Sequence, residues 1–586
     1  MEKILQPRVL DDSAEPITDL HPVLARIYAA RGIKTAAALD YRLASLPSYE
    51  SLSDIPLACE RLYDALRLKQ RIVIVGDYDA DGATSTALAV SALKQLGAAH
   101  VDFIVPNRFD FGYGLSPALV LAAKPMAPDL LITVDNGISS IDGVAQANAL
   151  GIDVIITDHH LPGDTLPAAK AIINPNKRAD AFPVKSLAGV GVIFYLMLAL
   201  RAFLQAKNWY ETCGIAVPNL AEHLDLVALG TVADVVPLEK VNRTLVQQGL
   251  LRMRAGKLRP GILALLTVAK RDVSSVLASD LGFAVGPRLN AAGRLDDMSI
   301  GIQCLLAKDP EVAMSQALVL DQLNRERRSL EATMQQEAEN ILSRLNMGSD
   351  SATLPAGLCL YQASWHQGVI GILAGRIKER YHRPTAIFAQ DNAAVLKGSV
   401  RSIPGVHIRD ILALIDAAMP GLIIKFGGHA MAAGLSIAAD DFARFSQAWQ
   451  HTLATQVPAA VFSPLLLTDG ELQADQITLP LAELLAQAGP WGQAFPEPIF
   501  QGIFDCIDQR LVGGKHLKLS LRIPGTTGII PAIAFNIDVA KWPNYHCQQV
   551  HLAYRLAVNE YQAMRSVQLI VEQLSAVRLS AAAIVA

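Results

Sequence analysis

The segment Arg71-Ile72-Val73-Ile74-Val75-Gly76-Asp77-Tyr78-Asp79-Ala80-Asp81-Gly82 runs from a short apolar block straight into three alternating aspartates. A continuous apolar run that ends in glycine reads as a strand buried on both faces, the habit of parallel sheets. Residues 84–96 then follow a helical pattern. Moving outward, further apolar runs occur at 101–105, 130–134, 154–156 and 171–173, with helix-like stretches between some of them. Alternating strands and helices predict an α/β domain around a mostly parallel sheet. In such sheets ligands bind beyond the carboxyl ends of the strands. Asp77, Asp135 and Asp158 all stand at those ends.

The chain has 586 residues, too many for one core, and about three or four domains are expected. Residues 1–50 read as a polar, helical lead-in, and 51–307 as the α/β domain. The stretch 308–350 is rich in Glu, Gln, Arg and Leu and poor in breakers, which predicts a long connecting helix. A second α/β domain spans 351–455. Residues 461–586 carry many short alternating stretches, which predict a β barrel or sandwich. Hydrophobic residues make up 51% and charged residues 18%, which excludes a disordered chain, a collagen or a coiled coil.

Mean hydropathy is +0.29, but the longest apolar run, 187–200, falls short of the roughly 20 residues a spanning helix needs. A buried core helix and no membrane association are therefore expected. The opening residues lack a charged region followed by an apolar core, so no secretory signal is expected. Six scattered cysteines without a Cys-x-x-Cys pair suit buried thiols in the cytoplasm. The formal net charge of −4 argues against a protein held to nucleic acid by bulk positive charge.

The three aspartates at 77, 79 and 81 need a cation to offset their mutual repulsion. Oxygen ligands favour Mg²⁺ or Mn²⁺. An EF-hand also begins Asp-x-Asp-x-Asp-Gly, but its twelfth position must be acidic, and here that position is Leu88. Ile132-Thr133-Val134-Asp135 repeats the strand-then-aspartate arrangement, although a lone aspartate there can simply cap a helix. Asp158-His159-His160 adds nitrogen ligands beside carboxylates, a mixture that suits Mn²⁺. Adjacent side chains on an extended segment point apart, so one histidine binds metal and the other faces substrate. Gly230-Thr-Val-Ala-Asp234 supplies one more carboxylate.

These four segments in this order resemble the DHH phosphoesterase superfamily. Asp-Tyr-Asp-Ala-Asp-Gly in the first of them resembles the RecJ branch, the single-strand-specific 5′ exonucleases. Val105-Pro-Asn-Arg108, Gly112-Tyr113-Gly114 and Gly286-Pro-Arg288-Leu-Asn290-Ala-Ala-Gly-Arg294 are similar to that branch. So are Trp365-His-Gln-Gly-Val-Ile-Gly371 with Arg376, Gly398-Ser399-Val-Arg401, and Gly427-Gly-His429-Ala-Met-Ala-Ala-Gly434. The resemblance implies a DHH domain, a DHH-associated domain facing it across a cleft and a C-terminal oligonucleotide-binding barrel. It implies two Mn²⁺ or Mg²⁺ ions held by Asp77, Asp79, Asp81, Asp135, His159 and Asp234, with Asp135 bridging. His160, Arg288 and Asn290 would act on the scissile phosphate. Arg108, Tyr113, Arg376, Ser399, Arg401 and His429 would hold the 5′ end of the strand. Ala494-Phe495 departs from a Gly-Asn common among relatives, at a position expected to shape a turn.

The implied activity is 5′→3′ hydrolysis of single-stranded DNA to 5′ mononucleotides in recombination and repair. Links with single-strand-binding protein and a helicase are implied, and a monomer is expected. Nine basic against two acidic residues over 243–294 offer an electrostatic track for the strand, or a scattered solvated face. Phe500, Phe504 and Trp491 are stacking candidates and equally candidates for the core. The competing readings are a phosphodiesterase for very short or cyclic nucleotides and a non-catalytic single-strand-binding protein.

Overall fold

Small side chains let the Ala80–Gln95 helix bury almost its whole surface. Gly230 shows how closely its neighbours approach, since a Cβ there would stand 2.3 Å from Thr84 Oγ1. The computed structural model describes residues 3–9, 17, 20–106, 114–344, 354–562 and 564–577. They divide into two compact units.

One unit comprises 10–324 together with 484–497. Its sheet has five strands, all parallel, in the spatial order His100–Ile104, Arg71–Val75, Leu130–Val134, Asp153–Thr157, Ala171–Ile173. The strand order reverses between Arg71–Val75 and Leu130–Val134, the switch point at which such sheets open a ligand crevice. Val73, Val75, Leu131, Val154 and Ile156 form one core face with Leu119, Val120 and Val144. From 189 onward the unit is helical. The apolar run anticipated as a core helix is Gly189–Ala206. By length and composition it is the one described helix that could cross a membrane, yet 67% of it is buried inside the fold.

Residues 484–497 belong to this unit rather than to the barrel module expected at 461–586. Trp491 and Phe495 stack at 5.1 Å between ring centroids, and Tyr28 stacks on Phe495 at 6.2 Å. Trp491 is therefore a packing residue. Ala494 sits at φ 59°, a left-handed conformation that glycine would accept at less cost. Ala494→Gly should leave the fold intact and raise stability by about 1 kcal/mol, read as a higher Tm.

The other unit comprises residues 3–9, 325–483 and 498–577. A mixed five-stranded sheet has the order Lys425–Gly428, Ala432–Ala438, Val395–Arg401, Thr385–Asn392, Leu358–Tyr361. Its core gathers Phe388, Phe445 and Trp449. Five strands from Phe500 to Ala576 close a barrel, with Ile530–Ala534 parallel to Met564–Ala576 and the remaining described pairings antiparallel. Phe500 and Phe504 are buried inside it against Tyr554. They cannot stack on bases from that position.

The polar lead-in hides a strand. Ile4–Pro7 pairs in parallel with Leu465–Thr468. The connecting helix is Pro310–Arg344, with buried residues at 313, 317, 320, 324, 327, 331, 334, 338 and 342 along one face, polar at 324, 327 and 331. That spacing of three and four is an amphipathic stripe.

Candidate active site

The two strands at the switch point deliver their carboxylates to one place. Asp77 follows Arg71–Val75, and its Oδ1 accepts from Tyr78 N at 2.7 Å. Asp79 caps the Ala80–Gln95 helix, accepting from Asp81 N and Gly82 N at 3.0 Å each. Gly82 is obligatory, since a Cβ there would lie 2.6 Å from Asp77 Cβ. Asp81 accepts from Gly189 N at 2.7 Å and Val190 N at 3.0 Å, the amino end of the Gly189–Ala206 helix. Asp135 follows Leu130–Val134 at φ 61°, a conformation aspartate tolerates. His159 Nε2 lies 3.1 Å from Asp135 Oδ1 and 3.5 Å from Asp234 Oδ2.

Three sets of side chains bring one ligand atom each within 4.8 Å of one another: Asp77, Asp79 and Asp135; Asp81, His159 and Asp234; Asp135, His159 and His160. All six expected ligands are thus assembled, and Asp135 and His159 belong to two sets each. Burial pushes the Asp135 and Asp234 carboxyls well above their usual range, reinforced by Asp81, Asp79 and Asp77. Asp81 is pushed up to about 7, first by burial and then by Asp79. Burial and the neighbouring His160 lower His159 to about 4, so it is neutral at physiological pH. Its Nε2 is buried without a hydrogen-bonding partner. A neutral imidazole nitrogen aimed at crowded carboxylates is the donor set a divalent cation requires.

This crowding has a pH signature. The folded pKa values of Asp81, Asp135 and Asp234 lie above their unfolded values, so their contribution to metal-free stability is fully present below about pH 4. It is lost as pH rises, through about 7 for Asp81, and the raised Asp135 and Asp234 act in the same direction. Ions compete with those protons. The rise in Tm on adding Mn²⁺ should therefore be larger at pH 8 than at pH 5, a comparison that thermal melts with and without chelator will make.

Asp158, which closes the motif from inside, is a positioning residue and no ligand. Its Oδ1 accepts from His159 N (2.7 Å), His160 N (3.0 Å) and His160 Nδ1 (2.7 Å), and its Oδ2 from Ile138 N (2.9 Å). Burial alone would raise its carboxyl, but the His160 bond and charge hold it below the usual range. Burial would lower His160, but the bond to Asp158 and the surrounding carboxylates raise it to about 9. His160 is thus an imidazolium held by an aspartate. Asn174 Nδ2 and Asn176 Nδ2 donate to the carbonyls of His160 and His159 at 2.9 and 2.6 Å. Sequence reasoning missed Asp158, Asn174 and Asn176 in these roles. The signal was present: Asn174-Pro-Asn176 directly follows the strand Ala171–Ile173, at the same sheet edge.

Arg288 and Asn290, expected on the phosphate, both make contacts within the fold. Arg288 Nη2 and Nε lie 2.7 and 2.9 Å from Asp321 Oδ1, and Nη1 donates to Ala284 O at 2.7 Å. A guanidinium this buried needs a partner, and Asp321 supplies it. Asn290 Oδ1 accepts from Ala80 N at 2.8 Å, pinning the loop that carries Asp79. Three residues on, a Cβ at Gly293 would stand 1.8 Å from Tyr78 O. The Gly286–Leu295 helix is therefore a buttress for the first acidic loop. Gly293→Ala should cost about 1–3 kcal/mol of stability and weaken Mn²⁺ binding, measured by melting and by metal titration.

Comparison with known proteins agrees with this geometry. Residues 71–231 match the DHH family, N-terminal domain, residues 355–455 the DHHA1 domain, and residues 468–573 the RecJ OB domain. The single-stranded-DNA-specific exonuclease RecJ of Escherichia coli is 52% identical over 97% of this chain and 98% of its own length. The chain belongs to the RecJ family. The RecJ of Dickeya dadantii is 54% identical over 95% of the chain and 96% of its own length. A crystal structure of RecJ in complex with Mn²⁺ from Thermus thermophilus superposes with a TM-score of 0.77 at 30% identity, covering 96% of this chain and 77% of that one.

Of the residues expected to bind the strand, those described, Arg376, Ser399, Arg401 and His429, all lie in the unit that contains 325–483. Arg108 and Tyr113 lie outside the described residues. Ser399 and Arg401 alternate on Val395–Arg401, and Arg401 Nη1 donates to Ser399 Oγ at 3.1 Å. A Cβ at Gly371 would come within 2.9 Å of Arg401 Nη2 and 3.0 Å of Ser399 Oγ, so that glycine keeps the pair open. Ala432 pairs with Arg401, and His429 N donates to Ala432 O at 2.8 Å, which brings His429 to the same end of the sheet. Arg376 is paired with Glu331 at 2.8 Å.

Several of the nine basic residues over 243–294, Arg288 among them, make contacts within the fold. Arg243 donates to Leu238 O and covers the Phe495 ring, Arg254 donates to Val276 O, Arg259 pairs with Asp225 and Arg271 with Asp280.

Proposed function

We propose that this RecJ-family chain is a single-strand-specific 5′→3′ exodeoxyribonuclease that releases 5′ mononucleotides at a site holding two Mn²⁺ or Mg²⁺ ions. The observation that carries the reading is the neutral, buried His159 Nε2 set against Asp135 and Asp234 within the acidic cluster. Asp77, Asp79 and Asp135 would hold one ion, and Asp81, His159 and Asp234 the other, with Asp135 serving both. Bound divalent ions supply charge neutralisation for an in-line displacement and a more acidic water.

The chain's own residues do the rest. Asp158 fixes the His160 ring through Nδ1, which leaves the other ring nitrogen to hold a proton for the departing 3′ oxygen. Asn290 and Gly293 hold the Asp77–Asp81 loop in place. Ser399 and Arg401, with His429 beside them and Arg108, Tyr113 and Arg376 contributing, would grip the 5′-terminal phosphate, which an arginine fork matches. The barrel would carry the strand beyond the site. Action in recombination and repair as a cytoplasmic monomer, alongside single-strand-binding protein and a helicase, completes the reading. The six cysteines form no disulfide, which suits a reducing compartment.

Digestion of a long 5′-labelled single strand, compared with a dinucleotide, tests the proposal. Release of labelled mononucleotide from the long strand is expected. Preferential hydrolysis of the dinucleotide would replace the proposal with a short-substrate phosphodiesterase.

A further inference from the structure

Val235 directly follows the ligand Asp234 and stands at φ 61°. It occupies the position after the carboxyl-terminal cap of the Leu224–Ala233 helix, where a left-handed backbone is normally supplied by glycine. For a β-branched residue this conformation is an outlier. Burial does not compensate, because Val235 is 61% exposed. Stability therefore does not account for a valine here. Strain of this kind collects at functional sites.

A second residue flanks the same helix end. Leu281–Val285 forms a π turn, a feature that is frequent at functional sites. Leu281, Ala284 and Val285 are buried and anchor it, while Phe283 is 80% exposed. Glycines on either side set the turn against the ligand-bearing helix. A Cβ at Gly282 would lie 3.2 Å from Val232 Cγ1, and one at Gly286 would lie 3.2 Å from Ala233 Cβ. Phe283 is thus held outward on a turn fixed to the two residues that precede Asp234. An aromatic ring presented to water on a turn that packs against the helix ending at Asp234 has the chemistry that receives a nucleobase, since every base offers a π face.

We propose that Val235 and Phe283 form an apolar shelf beside the metal cluster that packs against a base of the single strand and positions it for cleavage. The shelf rests on the nuclease reading above. It tolerates any sequence, because stacking reads no hydrogen-bond pattern.

The test uses the full chain with Mn²⁺ and two 5′-phosphorylated oligonucleotides, one normal and one with its first four positions abasic. Phe283→Ala should raise KM on the normal strand by about 5- to 100-fold, the range of one lost base–aromatic stack. The wild-type chain should lose a similar factor on the abasic strand, and the variant should lose nothing more there. Phe283→Trp should restore most of the loss. Val235→Gly should leave Tm unchanged or higher while raising KM on the normal strand alone. Equal losses on both strands, or a fall in Tm without a change in KM, would overturn the shelf and leave these residues structural. Failure of the wild-type chain to digest the normal strand would overturn the nuclease reading and the shelf together.

Discussion

Asp135→Asn should abolish cleavage, with a loss of about 10³-fold or more in kcat and little change in single-strand affinity. Asparagine is the informative substitution because Asp135 sits in the left-handed region, where alanine would add backbone strain. The predicted size follows from the several kcal/mol of transition-state charge stabilisation that a well-held ion supplies, at about 1.4 kcal/mol per tenfold in rate. Asp135 belongs to two of the three sets of candidate ligands, so its loss should weaken divalent-cation binding. The stability effect has the opposite sign. Burial and four surrounding carboxylates hold this group above its normal pKa, so removing its charge relieves repulsion in the metal-free chain. In chelator the variant should melt at or above the native chain, and Mn²⁺ should raise its Tm by less. Measured strand binding separates this from simple unfolding. Near-native turnover with normal Mn²⁺ stabilisation would remove Asp135 from the site.

The sheet and the gathering of carboxylates at its carboxyl end were legible because both depend on local pattern. An apolar run that ends in aspartate places a carboxylate at a strand's carboxyl end whatever the rest of the chain does, and Asp77, Asp135 and Asp158 followed that rule. Side-chain commitments between distant segments were not legible. The sequence offers no sign that Arg288 is paired with Asp321 on another helix. In the basic stretch 243–294, Arg259 and Arg271 are paired with Asp225 and Asp280, while Arg243 and Arg254 donate to carbonyls, none of which the sequence shows. The strand Ile4–Pro7 was invisible because its only described pairing partner begins at Leu465. The nearly neutral charge balance acquires a local meaning. Much of the acidity that counts is concentrated in one buried cluster, and a cluster that cannot stay ionised alone is a cation site.

His160 makes the second large prediction. His160→Asn should lower kcat by about 10²- to 10⁴-fold, the usual worth of a positioned acid–base group, while leaving KM and metal stabilisation nearly unchanged. A metal-ligand role would instead weaken Mn²⁺ binding, so the two measurements separate the adjacent histidines. The pH profile gives a further check. His160 is raised to about 9 by Asp158 and the nearby carboxylates, so its acid form prevails at neutral pH. Bound cations favour the uncharged ring, so the alkaline limb of kcat should lie at or below that value. The limb should vanish in His160→Asn. Asp158→Asn removes the anion that stabilises the imidazolium, so the limb should move to lower pH while a smaller share of kcat is lost. That variant should also melt lower by about 1–3 kcal/mol, because Asp158 accepts from three backbone amides that an asparagine cannot all satisfy. If Asp158→Asn changes stability alone and leaves the limb in place, the aspartate is a structural bracket and His160 draws its proton affinity from the metal-site carboxylates.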